Sequence, residues 1–145
     1  MIITLKISLD TYWSCEIEFE DNSTLVDVHH AIQNAVDFDD DHFFEFFVAR
    51  NRWARNRVEY SFDLGNLNNT MITDVFPLQP KQQLFYLFDY GASWIFKISK
   101  SRKAPRAAVD GVEYPRVVKE TGQKPLQYGP VEDEDDFDDE DDLED

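Results

Sequence analysis

The chain lacks most of what marks a familiar kind of site. It holds one cysteine, Cys15, so it cannot form an intrachain disulfide, and small secreted domains ordinarily use several. A reducing compartment is therefore expected, and with it a cytoplasmic location. No apolar run approaches the roughly 20 residues that a membrane-spanning helix needs. The opening MIITLKISLD is interrupted by Lys6 and Asp10, with no small-residue cleavage site after it, so neither a signal peptide nor a membrane association is expected. There is no GxSxG elbow, no glycine-lysine-serine phosphate loop, no HExxH, no paired CxxC and no GxGxxG, and the chemistry that travels with those motifs has no support here. No cofactor is implied.

Positive charge is missing from one place in particular. Residues 131–145 hold twelve Asp or Glu and no Lys or Arg, whereas the whole chain has 30 acids, 14 bases and a formal charge of −16. Residues 1–130 thus carry 18 acids against 14 bases, a net of −4. A nearly balanced body is followed by a polyanion with too few apolar groups to offset the entropy of ordering. This predicts a core domain over residues 1–100, a basic, proline-containing arm over 101–130 partly packed on it, and a disordered acidic tail over 131–145.

What the body does have is aromatic bulk: twelve Phe, six Tyr and three Trp, ample material for a packed interior. Ile3, Leu5, Ile7 and Leu9 alternate with other residues, as do Cys15, Ile17 and Phe19, and period two signals half-buried strands that pair as a hairpin. Thr24 stands three residues before Asp27, a capping-box-like start, and Leu25, Val28, Ile32 and Val36 follow at helical spacing, predicting a helix over 24–36. HFFEFFVAR (42–50) reads as a strand covered on both faces and central in the sheet. A short strand over 58–62, a loop over 64–69, and a short helix over 71–76 with Thr70 as cap and Pro77 as stop come next. Residues 83–90 and 93–100 form a last hairpin around Gly91 and Ala92. The fold class expected is α+β, a mixed or antiparallel sheet packed on one main helix, with a β-grasp-like strand-strand-helix-strand opening.

Three blocks then suggest a relative. Residues 25–33 (LVDVHHAIQ), 42–46 (HFFEF) and above all 85–94 (FYLFDYGASW) resemble the plasmid pRi open-reading-frame-three-like family, small microbial proteins, some carried on plasmids or mobile elements, with an α+β fold and no established activity. The resemblance spans roughly residues 1–129. Its signature runs tyrosine, aspartate, aromatic, glycine, aspartate, any residue, tryptophan, then a histidine two places on. Asp89, Tyr90, Gly91 and Trp94 match, while Ala92 replaces the second aspartate and Phe96 the histidine. The resemblance implies a binding notch at the hairpin end made of Asp89, Tyr90, Gly91 and Trp94, with His29 and His42 as further members. The plainer reading is that Asp89 and Gly91 shape the turn while Trp94 packs into the core.

Other candidates are read from the residues. His29 falls on the apolar stripe of the helix, while His30, rotated by about 100°, faces outward, so the two are not expected to share a ligand. For His29 a buried, hydrogen-bonded imidazole is favoured over catalysis or metal binding, and no catalytic residue or metal site is assigned. Asp37, Asp39, Asp40 and Asp41 sit past the helix end, where negative charge opposes the dipole, and read as a solvated loop. Arg52, Trp53, Arg55 and Arg57, with Lys100, Arg102 and Lys103, are basic concentrations able to meet nucleic acid or the acidic tail, though solvated or salt-bridged surface is the plainer reading.

The function that these features favour is a non-enzymatic module binding a protein partner, with the tail as an electrostatic arm. A nucleic-acid-associated protein using the clusters at 50–57 and 97–106 is one alternative. An enzyme with a site around Asp89 and His29 is the other. The partner's identity and the oligomeric state are not legible in the sequence.

Overall fold

The computed structural model describes residues 1–128, so the expected acidic tail lies outside the described residues. Nine elements follow in order: β1 (Ile2–Leu9), β2 (Trp13–Glu20), α1 (Leu25–Val36), β3 (Phe44–Ala49), β4 (Val58–Tyr60), α2 (Ile72–Val75), β5 (Gln83–Phe88), β6 (Trp94–Lys100) and β7 (Arg116–Gly122). The strands make one seven-stranded sheet in the order β4-β3-β5-β6-β1-β2-β7, and every ladder is antiparallel. The strand-strand-helix-strand opening and the α+β class are those the sequence predicts.

The alternation in β1 and β2 sets the register. Ile3 stands opposite Phe19, Leu5 opposite Ile17, Ile7 opposite Cys15 and Leu9 opposite Trp13, so two apolar rows share one face. Slipping by one residue would turn both rows to the other face, which is why this pairing is strongly specified. Phe44 and Phe46 of β3, Leu84, Tyr86 and Phe88 of β5, and Phe96 and Ile98 of β6 extend the same buried surface. Leu25, Val28, Ile32 and Val36 of α1 close over it. Each such side chain contributes roughly 1.5–3 kcal/mol of transfer free energy, an upper figure given a compact unfolded chain.

The ends of α1 are set locally. Thr24 Oγ1 accepts from the Asp27 amide at 3.3 Å while Asp27 Oδ2 accepts from the Thr24 amide at 2.9 Å, a capping box closed by aspartate in place of the usual glutamate. At the other end Asp37 adopts the left-handed conformation (φ 61°) and its amide returns to the Gln33 carbonyl, which turns the following aspartates back toward the helix. In α2 the cap position falls on Met71 rather than Thr70. Thr70 instead donates its hydroxyl to the Asn66 carbonyl.

The reverse face of the sheet is mostly polar, with a small second cluster of Phe47, Ala49 and Phe85 roofed by the Arg57 guanidinium 4.2 Å from the Phe47 ring. β3 is thus covered on both sides as expected, but lies one place in from the β4 edge rather than at the centre.

The arm supplies a strand that periodicity does not show. β7 pairs with β2 over Trp13–Glu18, with a register shift between Glu16 and Ile17. The strand is exposed along its whole length, so no alternation marks it. It ends at Gly122 (φ +87°), where an added Cβ would stand 2.0 Å from the Tyr12 carbonyl oxygen; only glycine allows that approach. No helix among the described residues is long and apolar enough to cross a membrane.

Cys15 sits inside this core, where burial above all, and then Glu120 and Glu16, push its thiol up to about 12. The folded chain therefore keeps the proton while an unfolded one loses it near pH 9. The stabilising preference is fully present below pH 9 and declines as pH rises from 9 toward 12. Urea unfolding of the native chain should lose midpoint over that window relative to Cys15→Ala, and native Cys15 should resist iodoacetamide at pH 8 until denaturant is added; prompt alkylation would contradict both.

Candidate functional site

The three histidines of the chain all line one open pocket of about 540 Å³. His29 and His30 come from α1, His42 from the segment leading into β3, and Asp40 and Asp41 from the reversal between them, while Val26, Phe43, Phe44 and Phe62 form the apolar wall. Periodicity alone accounts for His29: it lies on the stripe facing the sheet and is almost fully buried.

There it is held from both sides. Its ring stacks on Phe44 with centroids 3.6 Å apart. Nδ1 lies 2.6 Å from the Tyr86 hydroxyl, which also accepts from Gln33 Nε2 at 2.9 Å. Because the Asp40 carboxylate beside Nε2 can only accept, Nδ1 of the neutral ring is the acceptor and the Tyr86 hydroxyl donates to it. The imidazole proton then sits on Nε2 and is donated to Asp40 Oδ2 at 3.0 Å. Burial holds the His29 pKa below its ordinary value, against an opposing pull from the Asp40 hydrogen bond, so the ring is neutral at physiological pH. Burial pushes the Tyr86 hydroxyl well above the ordinary phenol range. Gln33 Oε1 is sealed in the same place without a partner.

Nothing in the sequence signals that one carboxylate would lie near both His29 and His30, as Asp40 does. His30 faces outward as its helical position requires, yet its Nδ1 reaches to 3.8 Å from the same Asp40 Oδ2, and the three donor atoms lie within 4.8 Å of one another. The long imidazole arms overcome the angular offset of neighbouring helix positions because the chain reversal at Asp37 brings Asp40 over both. The aspartate loop is accordingly more than solvated surface. Asp40 faces the histidines, while Gln127 bonds the Asp39 amide and carbonyl and the Tyr128 hydroxyl donates to Asp41 Oδ2 at 2.9 Å. Hydrogen bonding to Asp41 is the chief cause that pushes the Tyr128 hydroxyl up to about 12.

The notch implied by the family signature divides. Asp89 Oδ1 accepts from the amides of Gly91 and Ala92 and so builds the turn, but its Oδ2 faces His42 Nε2 at 3.4 Å, with Asp41 Oδ1 equally far from that nitrogen. Tyr90 stacks on Phe43 beside the pocket. Gly91 stays in the turn, and Trp94 packs edge-on against Phe38, with its buried Nε1 lacking a partner. Phe96, standing where the signature has histidine, is fully buried against Tyr86. The structure thus brings His29, His42, Asp89 and Tyr90 to one region and leaves Gly91 and Trp94 in structural places.

The basic clusters lie elsewhere and are partly neutralised. Arg52 pairs with Asp10, Arg57 with Glu59 and Lys103 with Glu16, while Arg55, Lys100 and Arg102 are exposed. Trp53 is 81% exposed, with the Arg52 guanidinium 5.6 Å from its ring.

Sequence reasoning missed Asp40, Phe44 and Phe62 as members of the pocket, and Tyr86 and Gln33 as the buried groups that back His29. Tyr86 and Phe44 lie inside the family-like blocks, a usable signal. Asp40 has none, because a run of four aspartates in five positions does not say which one turns inward.

Comparison with known proteins agrees with the architecture. A search of the curated proteins finds no match. Among solved structures, the chain is similar to a protein of unknown function, MM3350 from Methanosarcina mazei Go1, at 25% identity and a TM-score of 0.64, covering 82% of this chain and 68% of that one. The model of a protein family described as plasmid pRiA4b ORF-3-like protein matches residues 2–135. A match along nearly the whole length, carrying the helix with its paired histidines and the aromatic hairpin together, places the chain in the plasmid pRiA4b ORF-3-like family.

Proposed function

We propose that this chain is a non-enzymatic interaction module whose docking surface is the three-histidine pocket and the aromatic shelf beside it. The observation that carries the reading is the exposure of large rings at the pocket edge: Phe43 is 72% and Phe62 56% exposed, and Tyr90 half exposed. Exposed aromatics gathered round a concavity mark binding surfaces more often than scattered surface apolar residues do. Asp40, Asp41, Asp63 and Asp89 ring the same surface, so the partner that fits is a protein segment presenting an aromatic or aliphatic side chain beside Lys or Arg. The acidic run at 131–145 begins three residues after Tyr128, which is bonded at the pocket rim. Tethered there, it adds attraction for a basic segment at high effective concentration.

A peptide-display selection against the full chain, at low salt and with a chelator present, tests this reading. Enrichment of sequences with an apolar residue next to Lys or Arg is expected, with binding weakened at least about tenfold, or about 1.4 kcal/mol, by Phe43→Asp with Phe62→Asp. No enrichment, or peptides that bind the double variant equally, would sink it.

An enzymatic use of the same surface is the rival reading. It draws on His42, whose Nε2 stands 3.4 Å from both Asp41 and Asp89, a gathering of imidazole and carboxylates at an accessible concavity. The nucleic-acid reading keeps the exposed Trp53 and the exposed Arg55, Lys100 and Arg102 in its favour, while the ion pairs of Arg52, Arg57 and Lys103 weaken it.

A further inference from the structure

We propose that His29 Nε2, His30 Nδ1 and Asp40 Oδ2 hold a divalent first-row transition cation, zinc(II) being the best suited, at the mouth of the three-histidine pocket. The inference rests on reading that pocket as the working surface of the protein, and it names the ligand that the surface holds beneath any docked segment.

Donor chemistry comes first. Two imidazole nitrogens with one carboxylate oxygen form a borderline set that suits zinc, cobalt or iron(II) better than the all-oxygen sets of magnesium and calcium. The spacing agrees. Donor atoms about 2 Å from a tetrahedral zinc stand about 3.3 Å from one another, and here His29 Nε2 is 3.0 Å and His30 Nδ1 3.8 Å from Asp40 Oδ2. All three atoms fall within 4.8 Å, so side-chain rotations alone bring them to bonding distance. A fourth position then faces the pocket.

The backing of His29 is what separates this cluster from an ordinary surface ion pair. A ligating histidine donates its other ring N–H to a fixed acceptor. Tyr86 Oη, 2.6 Å from Nδ1, is that acceptor once the ring proton moves from Nε2 to Nδ1. The Tyr86 proton then needs a new place, and the Gln33 side chain, 4% exposed and with Oε1 unpartnered, supplies it when its amide turns over. No net proton leaves His29 in this exchange: Nε2 loses a hydrogen as Nδ1 gains one, and the metal takes the lone pair thus freed. The stacked Phe44 ring keeps Nε2 aimed at the mouth throughout.

Zinc titration of the full chain by competition with a chromogenic chelator, paralleled by cobalt(II) absorption, provides the test. One zinc per chain is expected at a site that gives cobalt(II) a tetrahedral visible spectrum. Its affinity should fall more than about 100-fold in His30→Ala and in Asp40→Asn, beyond what loss of a merely supporting group costs. Both side chains are substantially exposed, so these variants keep the fold. Zinc that binds wild type and both variants alike sits on other carboxylates and overturns the proposal, as does the lack of any stoichiometric site. The peptide selection uses a chelator, so the two readings fail separately: loss of zinc with retained peptides removes only the metal, and the reverse removes only the docked segment.

Discussion

Arg106→Ala combined with Arg116→Ala is expected to lower the unfolding free energy by roughly 3 kcal/mol, in the range measured when a buried ion pair loses one side. Glu18 projects from β2 to the reverse face, and its side chain is only 4% exposed. Arg116, at the start of β7, donates its Nε to Oε1 at 2.7 Å, and Arg106, whose backbone bridges to Ile2, pairs with Oε2. One carboxylate thus fastens two separate points of the arm to the first hairpin. Without the guanidiniums the charge is left against the sheet with no partner. The reverse change should be mild. In Glu18→Leu the arginines, both roughly two-fifths exposed, turn to water, and the cost should stay below about 1 kcal/mol. Urea unfolding at constant m-value measures the asymmetry, and limited proteolysis should nick residues 101–128 first in the double arginine variant. Equal costs for the two substitutions, or no cost for the arginine pair, would show that the arm is held by its backbone ladder alone.

Tyr86→Phe is expected to cost about 2–6 kcal/mol, because removing one hydroxyl strands two sealed groups, His29 Nδ1 and Gln33 Nε2, at roughly 1–3 kcal/mol each. Packing barely changes, so the loss reports hydrogen bonding. Gln33→Leu is the comparison. It removes an amide whose Oε1 has no partner already and leaves the bond between Tyr86 and His29 intact, so it should cost no more than about 1 kcal/mol. Nitrogen chemical shifts of the His29 ring give an independent check: the Nε2–H form should dominate in wild type and give way to a mixture in Tyr86→Phe. A stable Tyr86→Phe protein with an unchanged tautomer would mean that the chain from Gln33 to Asp40 does not govern the imidazole.

Both expectations turn on contacts between residues far apart in the chain, and there the reach of sequence reading stops. The alternation from Ile3 to Phe19 determined a hairpin and its buried face, since period two leaves one register that hides both apolar rows. Leu25, Val28, Ile32 and Val36, started by Thr24 and Asp27, determined a helix with His29 turned inward and His30 outward. The family-like block at 85–94 marked the hairpin that carries Tyr86.

Tertiary structure decided the rest. β7 has no apolar alternation because both its faces meet solvent; its place comes from backbone pairing with β2 and from Glu18, which no pattern within 116–122 records. Asp40 became the partner of two histidines through a left-handed residue at Asp37 that swings the loop back over α1, and Tyr86 met His29 from a strand 57 positions away. By itself the sequence determined the periodicities that make elements and choose their buried faces, because those depend on residues within a few positions of one another. Which polar groups share the pocket was settled only when the sheet and helix closed, since that depends on where distant segments cross.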